Sequence, residues 1–455
     1  MPAAQPTAEP AVAGSGLSLS ASSTIGAAVS GARRDAIVAF VVRCTSAALL
    51  YLTQVLLARW MGAAEYGVYV AVWAAIMIIG GIASLGLNIG VMRLVPMHRE
   101  AGDLDRLRGL VVGSRVLAVV LGALIALVSY AVIDFVPMSP GYRAAAAVAI
   151  LCLPLYAMTD IQDGLGRGNG WMMTALVPPY VFRPLILLLA MTVANAAGYP
   201  MVAATAAMAA VVGVAATALV QAIWLNRKFS ALLGAGPRTS EPRAWIASSL
   251  PLLAIAGAEL ALQNTDVMVL SRFAPSAEVA MYFAAAKTMS LMMFVHYAVG
   301  SAMASRFAGY KERGDDAGLQ MAVRDAVSWT FWPSLAVAAA ILVAGRPLLS
   351  LFGPGFSDGY PVMAILVIGF LVRSAMGPAE ILLNMMGEQS ACATVMVAGA
   401  IIGLVLNLLL VPPFGVIGAA SATAIALGAV GLLNGRVAMS RLGLRVAIWR
   451  NLAWA

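Results

Sequence analysis

Six charged residues interrupt apolar stretches of this sequence where charge is costly: Arg43, Arg183, Lys287 and Arg373 among the cations, Glu259 and Asp266 among the acids. A charge in a hydrocarbon layer costs about 2.5–3.5 kcal/mol on insertion scales, so each needs a partner or a water-filled cavity. The cations have the chemistry to hold an anion. A planar arginine fork donates two hydrogen bonds to a phosphate, and lysine adds a point charge. Glu259, Gln263 and Asp266 fall at i, i+4 and i+7 and share one helical face. Such a stripe suits an ion-coupling role, as a proton carrier or part of a sodium site; the structural alternative is an acid that neutralises a buried Arg183 or Arg373. His98 and His296 lie in unrelated segments, and Cys44, Cys152 and Cys392 sit far apart inside apolar runs. The cysteines therefore read as small buried residues. No metal site, catalytic residue or cofactor is expected beyond a coupling H+ or Na+.

The elements that carry these residues follow from composition. Of 455 residues, 62% are hydrophobic and 11% charged, with a mean hydropathy of +0.91. Soluble proteins average about 45–50% apolar and about 25% charged, so the chain reads as an integral membrane protein. Its long apolar runs exclude a β-barrel, whose segments are short and alternating. Runs of roughly 20 apolar residues mark twelve spans, at 36–58, 67–92, 109–133, 144–162, 171–194, 201–225, 245–270, 279–305, 326–348, 361–383, 391–411 and 417–439. The fourth is interrupted by Pro154 and closely followed by the polar stretch 161–169. At 1.5 Å per residue, Arg183 and Arg373 lie about 18 Å inside their spans and Glu259 about 20 Å, close to mid-membrane. Arg43 and Lys287 lie about 12 Å in, and Arg115, at about 9 Å, is expected to snorkel to the surface. Pro178, Pro179 and Pro184 bracket Arg183 and should distort its helix.

The formal charge of +8 sorts by side of the membrane. With a cytoplasmic amino terminus, 19 of the 28 Lys and Arg fall on the inner side, four on the outer side and five within spans. The positive-inside rule thus places both termini in the cytoplasm, and no nucleic-acid partner is needed to explain the charge. Residues 1–32, rich in Ala, Ser, Pro and Gly, read as a disordered cytoplasmic tail with no basic segment of a signal peptide.

An internal repeat organises the spans. An offset of 213 residues places Arg59 on Arg272, Glu65 on Glu278, Tyr69 on Tyr282, Arg93 on Arg306 and Asp103 on Asp316. Later, Gly141-Tyr142 matches Gly359-Tyr360 at a slightly larger shift. The expected fold is all-α, with about twelve transmembrane helices in two six-helix lobes related by a pseudo-two-fold axis along the membrane normal. An N-lobe over 33–225 and a C-lobe over 245–440 are joined by a cytoplasmic linker at 226–244, and 441–455 forms a second tail. The repeated charges sit at helix ends, whereas the buried ones break the symmetry: Arg43 aligns with Ala256, Glu259 with Ser46, Asp266 with Thr53 and Lys287 with Ala74. That asymmetry suits a site for one asymmetric anion.

Five ordered stretches, at 59–69, 83–96, 266–289, 348–362 and 414–426, carry a resemblance to the polysaccharide flippases. This is the Wzx-type O-antigen and exopolysaccharide branch of the multidrug/oligosaccharidyl-lipid/polysaccharide (MOP) superfamily, which also contains the MATE exporters. The resemblance implies a MATE-like fold with a central cavity, cationic residues facing a diphosphate, and transfer of an undecaprenyl-diphosphate-linked oligosaccharide to the periplasmic leaflet of the bacterial inner membrane. The implied partners are that lipid-linked oligosaccharide and membrane lipids, with a polysaccharide polymerase and chain-length proteins as candidates. Arg43, Arg183, Lys287 and Arg373 become the expected substrate-binding residues, and Glu259, Gln263 and Asp266 the expected ion-coupling ones. The alternative within transporters is a cation-coupled MATE-like drug exporter, whose cavity should be rich in carboxylates and poor in cations. A membrane glycosyltransferase or polymerase would need a substantial catalytic loop, and the longest outer loop here is about a dozen residues.

Overall fold

The computed structural model describes the backbone over 17–451 and the side chains over 45–450, Ser305 excepted. Of the expected disordered tail at 1–32, residues 17–32 are instead helical and continuous with the first span; residues 1–16 and the Arg43 side chain lie outside the residues so described. Among the described residues every regular element is helical. Ten continuous segments are long and apolar enough to cross a membrane, and two of these, Thr45–Glu100 with 56 residues and Gln389–Leu442 with 54, are far too long for one crossing. A helix of that length would measure about 80 Å against a hydrocarbon core of about 30 Å. Both fold back at a glycine. Gly62 has φ 75°, ψ 166° and Gly415 φ 53°, ψ −129°, conformations that a Cβ would strain.

Division at these glycines yields the twelve spans expected from the sequence. They are α1 (17–61), α2 (63–100), α3 (Leu104–Val132), α4 (Pro140–Gly168), α5 (Met172–Ala196), α6 (Ala203–Leu233), α7 (Pro242–Phe273), α8 (Ser276–Arg313), α9 (Asp316–Ser350), α10 (Phe356–Met385), α11 (389–414) and α12 (416–442). Several helices extend beyond their apolar runs. In particular α6 continues to Leu233, so the connection between lobes narrows from the expected 226–244 to 234–241. Several spans are interrupted along their length: α2 turns at 84–86, α4 and α8 tighten into 3-10 turns at Ile150–Cys152 and Ser290–Met292, α5 widens at Pro178–Phe182, and α10 opens at 375–378.

Burial shows how the lobes meet. One apolar core runs through both lobes at the end of the bundle away from the connection, the far face, and includes Leu57, Tyr66 and Leu153 with Tyr282, Phe352 and Phe370. Toward the connection, the linker face, the core divides. Leu87, Leu110, Ile161 and Leu225 form a separate N-lobe core, and Met303, Phe307, Val323 and Leu383 a separate C-lobe core. The lobes are therefore sealed at the far face and have separate cores at the linker face, where α7 leans across with Ser249 and Leu253 against Gly86 and Gly90.

Polar contacts reinforce the far-face seal. Tyr51 Oη lies 3.2 Å from Thr288 Oγ1, and Arg59 Nε donates to the carbonyl of Leu351 at 2.5 Å, at the end of α9. A cation on the last carbonyls of a helix is favoured by the helix dipole. Gly67 of α2 sits so close to Ser276 of α8 that any Cβ there would meet the Ser276 carbonyl. Gly67→Leu is therefore expected to wedge the far face apart. In a background lacking the native cysteines, a cysteine at buried Ala280 should then react with a water-soluble thiol reagent about tenfold faster than with Gly67 intact.

Candidate functional site

The prolines around Arg183 act as the sequence predicts. Without amide hydrogens at Pro178 and Pro179, α5 widens into a π-turn over Pro178–Phe182, and Arg183 begins the following α-helix. Its guanidinium carbon lies 5.8 Å from the ring centroid of Tyr156 in α4. Tyr156 in turn makes an edge contact with Trp73 of α2, with centroids 6.4 Å apart. On the other lobe, the ammonium of Lys287 in α8 lies 4.9 Å from the Phe283 ring, and the residue is exposed. Among the described residues neither cation makes an ion pair with a carboxylate. Each lies beside an aromatic ring, an attraction worth about 0.5–2 kcal/mol. Arg183 also donates a hydrogen bond to the Tyr156 hydroxyl, and its five-donor guanidinium keeps further donors.

The α7 stripe divides. Asp266 is only 6% exposed, and its carboxylate accepts from Tyr282 Oη at 2.5 Å, Thr423 Oγ1 at 3.2 Å and its neighbour Val267 N at 2.8 Å. Glu259 and Gln263 are exposed and touch each other at 3.4 Å. Position along the helix separates residues of one face: the far-face core closes around Asp266, whereas Glu259 lies where the cores have parted. Asp266 also lines a small pocket between α7, α11 and α12 with Thr265, Asn407 and Thr423. Asn407 is 2% exposed; its amide donates to Gly403 O, and its Oδ1 has no protein partner. A carboxylate, an amide oxygen and hydroxyls around one pocket form a donor set for a small hard cation or a proton. Neither Asn407 nor Thr423 is charged, so only the buried Asp266 pointed to this pocket in the sequence.

Arg373 is placed differently from Arg183 and Lys287. Its Nη2 lies 2.7 Å from Glu380 Oε1, across the break in α10, with side-chain exposures of 14% and 22%. Neither Glu259 nor Arg183 takes part in this pair. Glu380→Ala would strand a mostly buried guanidinium, which costs about 3–5 kcal/mol in the buried limit. The expected result is a clearly lower thermal midpoint in detergent, largely restored in the double variant with Arg373→Ala. The expected snorkelling of Arg115 is not found. That side chain is 8% exposed and donates to Asn226 Oδ1 at 2.5 Å in the N-lobe interior, because α3 begins earlier than its apolar run and carries Arg115 deeper. His296 packs edge-on to Phe370 with neither ring nitrogen hydrogen-bonded. Cys152 and Cys392 are free and buried, in line with their expected packing role.

One group of residues was not singled out in the sequence. Tyr156, Asp160, Asp163 and Arg167 occupy one face of α4 at i, i+4, i+7 and i+11, and all four are partly exposed. Asp163 and Arg167 form a two-point ion pair, at 2.5 and 3.1 Å. Asp160 lies against Ser84 and Asn88 at the break in α2. The regular spacing was visible, but the predicted span ended at 162 and left Arg167 in a loop.

The chain matches the family model of polysaccharide biosynthesis proteins over residues 32–308 and the MatE model over 251–409. No curated protein matches it significantly. Among solved structures it resembles an inward-facing multidrug resistance MATE family transporter of the MOP superfamily, with TM-score 0.74 and 15% identity over 89% of this chain and 99% of that one. The outward-facing conformation of a MATE family transporter gives TM-score 0.64 at 18% identity, over 91% and 95%. The lipid II flippase MurJ in an inward closed conformation gives 0.69 at 12% identity, over 88% and 86%. Likeness at these identities shows the fold, and the first model covers more than half of the sequence; the chain therefore belongs to the polysaccharide biosynthesis protein family.

Proposed function

We propose that this chain flips an undecaprenyl-diphosphate-linked oligosaccharide from the cytoplasmic to the periplasmic leaflet of a bacterial inner membrane by alternating access, coupled to H+ or Na+. The observation that carries the reading is the placement of Arg183 and Lys287 on opposite lobes, each beside an aromatic ring and neither in an ion pair among the described residues. A diphosphate bridging them would contact both lobes and bias their relative position. With the linker face in the cytoplasm, as the distribution of cations favours, the divided cores make this an inward-facing arrangement. The lipid tail stays in the bilayer between the lobes while the headgroup is received from the cytoplasmic side. Substrate recognition belongs to Arg183 and Lys287, joined by Arg43 on sequence grounds; Arg373, neutralised by Glu380, supports α10 instead. Ion coupling belongs to Asp266, with Asn407 and Thr423 around the same pocket.

The MatE match over the C-lobe and the exposed acid Glu259 on a membrane-spanning helix favour a second reading, a cation-coupled exporter of cationic drugs. A deletion strain separates the two. Lipid-linked oligosaccharide should accumulate on its cytoplasmic leaflet and be cleared by restoring the gene. Drug sensitivity with normal polymer export would replace the flippase reading by the exporter.

A further inference from the structure

Building on the flippase reading, we infer that the α4 face formed by Tyr156, Asp160, Asp163 and Arg167 is the subsite for the sugar of the lipid-linked substrate, distinct from the cations that hold the diphosphate. The four side chains lie on a membrane-spanning helix yet keep partial exposure, Asp163 at 16% and Arg167 at 24%. Charged groups in a span that are neither sealed in protein nor snorkelling must face a water-filled space. The face runs about 16 Å, from Tyr156 beside Arg183 at mid-span to Arg167 in the last turn of α4. It therefore leads from the linker face to the anion site.

Charge selects the ligand. Arg183 and Arg167 stand at the two ends and Asp160 and Asp163 between them, so the row is balanced. A diphosphate would be repelled by the two carboxylates, and a free cation by the two guanidinium groups. A neutral group with many hydroxyls is suited to both, because each hydroxyl donates to a carboxylate and accepts from a guanidinium, while the Tyr156 ring offers an apolar face. The repeat supplies an independent argument. Counting from Tyr142 and its C-lobe partner Tyr360, the positions equivalent to 156, 160, 163 and 167 hold Ser374, Pro378, Ile381 and Met385. The C-lobe thus has no such row, as expected if one lobe alone reads the sugar.

The test is binding to the purified full chain in detergent of three probes: undecaprenyl diphosphate, the same lipid bearing one N-acetylhexosamine, and the same lipid bearing a disaccharide. Wild type should bind the disaccharide lipid at least tenfold more tightly than the bare lipid, since hydrogen bonds to charged groups are the strong ones. Asp160→Asn should shrink that ratio to within about twofold. Tyr156→Leu, which removes the ring a sugar face would rest on and stays apolar, serves as a second variant should the first not fold, and should reduce the ratio in the same direction; any loss of support for Arg183 is common to all three probes and cancels in the ratio. A wild-type ratio near one, or a full ratio kept in the variants, overturns the sugar subsite, as does a variant that alters only sodium-dependent stabilisation. If undecaprenyl diphosphate itself fails to bind wild type, the flippase reading fails instead, so the two failures are distinct.

Discussion

Arg183→Ala is expected to lower translocation of the lipid-linked oligosaccharide about a hundredfold while leaving membrane insertion and thermal midpoint near those of wild type. The magnitude follows from the bond lost. Truncating one partner of a buried, hydrogen-bonded charge pair costs about 2–5 kcal/mol, and each 1.4 kcal/mol is tenfold. Preserved stability follows from the surroundings. Among the described residues Arg183 has no carboxylate partner to orphan; its neighbour is the neutral Tyr156, by ring and hydroxyl, so its removal leaves no uncompensated charge. Arg373→Ala differs because it strands Glu380. Loss of function there should come with loss of stability, and the double variant with Glu380→Ala should recover much of both. Arg183→Lys keeps the charge and loses the fork, so an intermediate rate is expected. The measurement is reconstitution in vesicles, with flipped substrate scored by accessibility to a glycosidase outside. A normal rate in Arg183→Ala, with protein verified in the bilayer, would remove Arg183 from the substrate site.

Those residues also show what the sequence could reveal. Span positions were legible because each helix must offer about 20 apolar residues to lipid, and the two glycine reversals at 62 and 415 fell between predicted spans. Depth of charge was legible for Arg183, but not for Arg115, expected at the surface and found buried, nor for Asp266, which lies toward the outer end of its span and is buried by the far-face core. Partners were not legible. Arg373 and Glu380 lie seven residues apart, and only the break at 375–378 brings their ends within 2.7 Å. The division of the Glu259, Gln263 and Asp266 face depends on where the lobes part, a tertiary feature that periodicity on one helix does not encode. The α4 row was hidden for another reason. Pro154 and three glycines at 164, 166 and 168 make its second half resemble a loop, yet those glycines are where α4 packs closely: Gly164 meets the Asn88 carbonyl, Gly166 meets Ala175 and Gly168 meets the α2 backbone at Met92. Small residues at helix contacts in membranes are an attractive surface as often as a breaker.

Asp266→Asn is expected to abolish the dependence of transport on the driving ion and to tighten binding of undecaprenyl diphosphate about tenfold. The substitution keeps the shape and one acceptor for Tyr282 and Thr423, so the packing of α7 against α8 and α12 should persist. Only the charge is lost. Lys287, one of the proposed diphosphate ligands, is attracted by Asp266 on the adjoining helix. While Asp266 is ionised and empty, part of the field of Lys287 is spent on that carboxylate; a bound H+ or Na+ cancels it and returns the lysine to the substrate. Linkage makes the effect reciprocal, so a diphosphate on Lys287 must equally favour the ion at Asp266, with couplings of about 1–3 kcal/mol typical of such pairs. The asparagine imitates the ion-filled state permanently. Affinity should then be high and insensitive to pH and sodium, while net translocation falls because release no longer follows ion loss. Glu259→Gln provides the contrast. Its side chain is exposed, with Gln263 as its hydrogen-bond partner among the described residues, and lies outside the Asp266 pocket, so ion dependence should survive it. Retained ion dependence in Asp266→Asn together with its loss in Glu259→Gln would move the coupling site from the C-lobe pocket to the cavity wall.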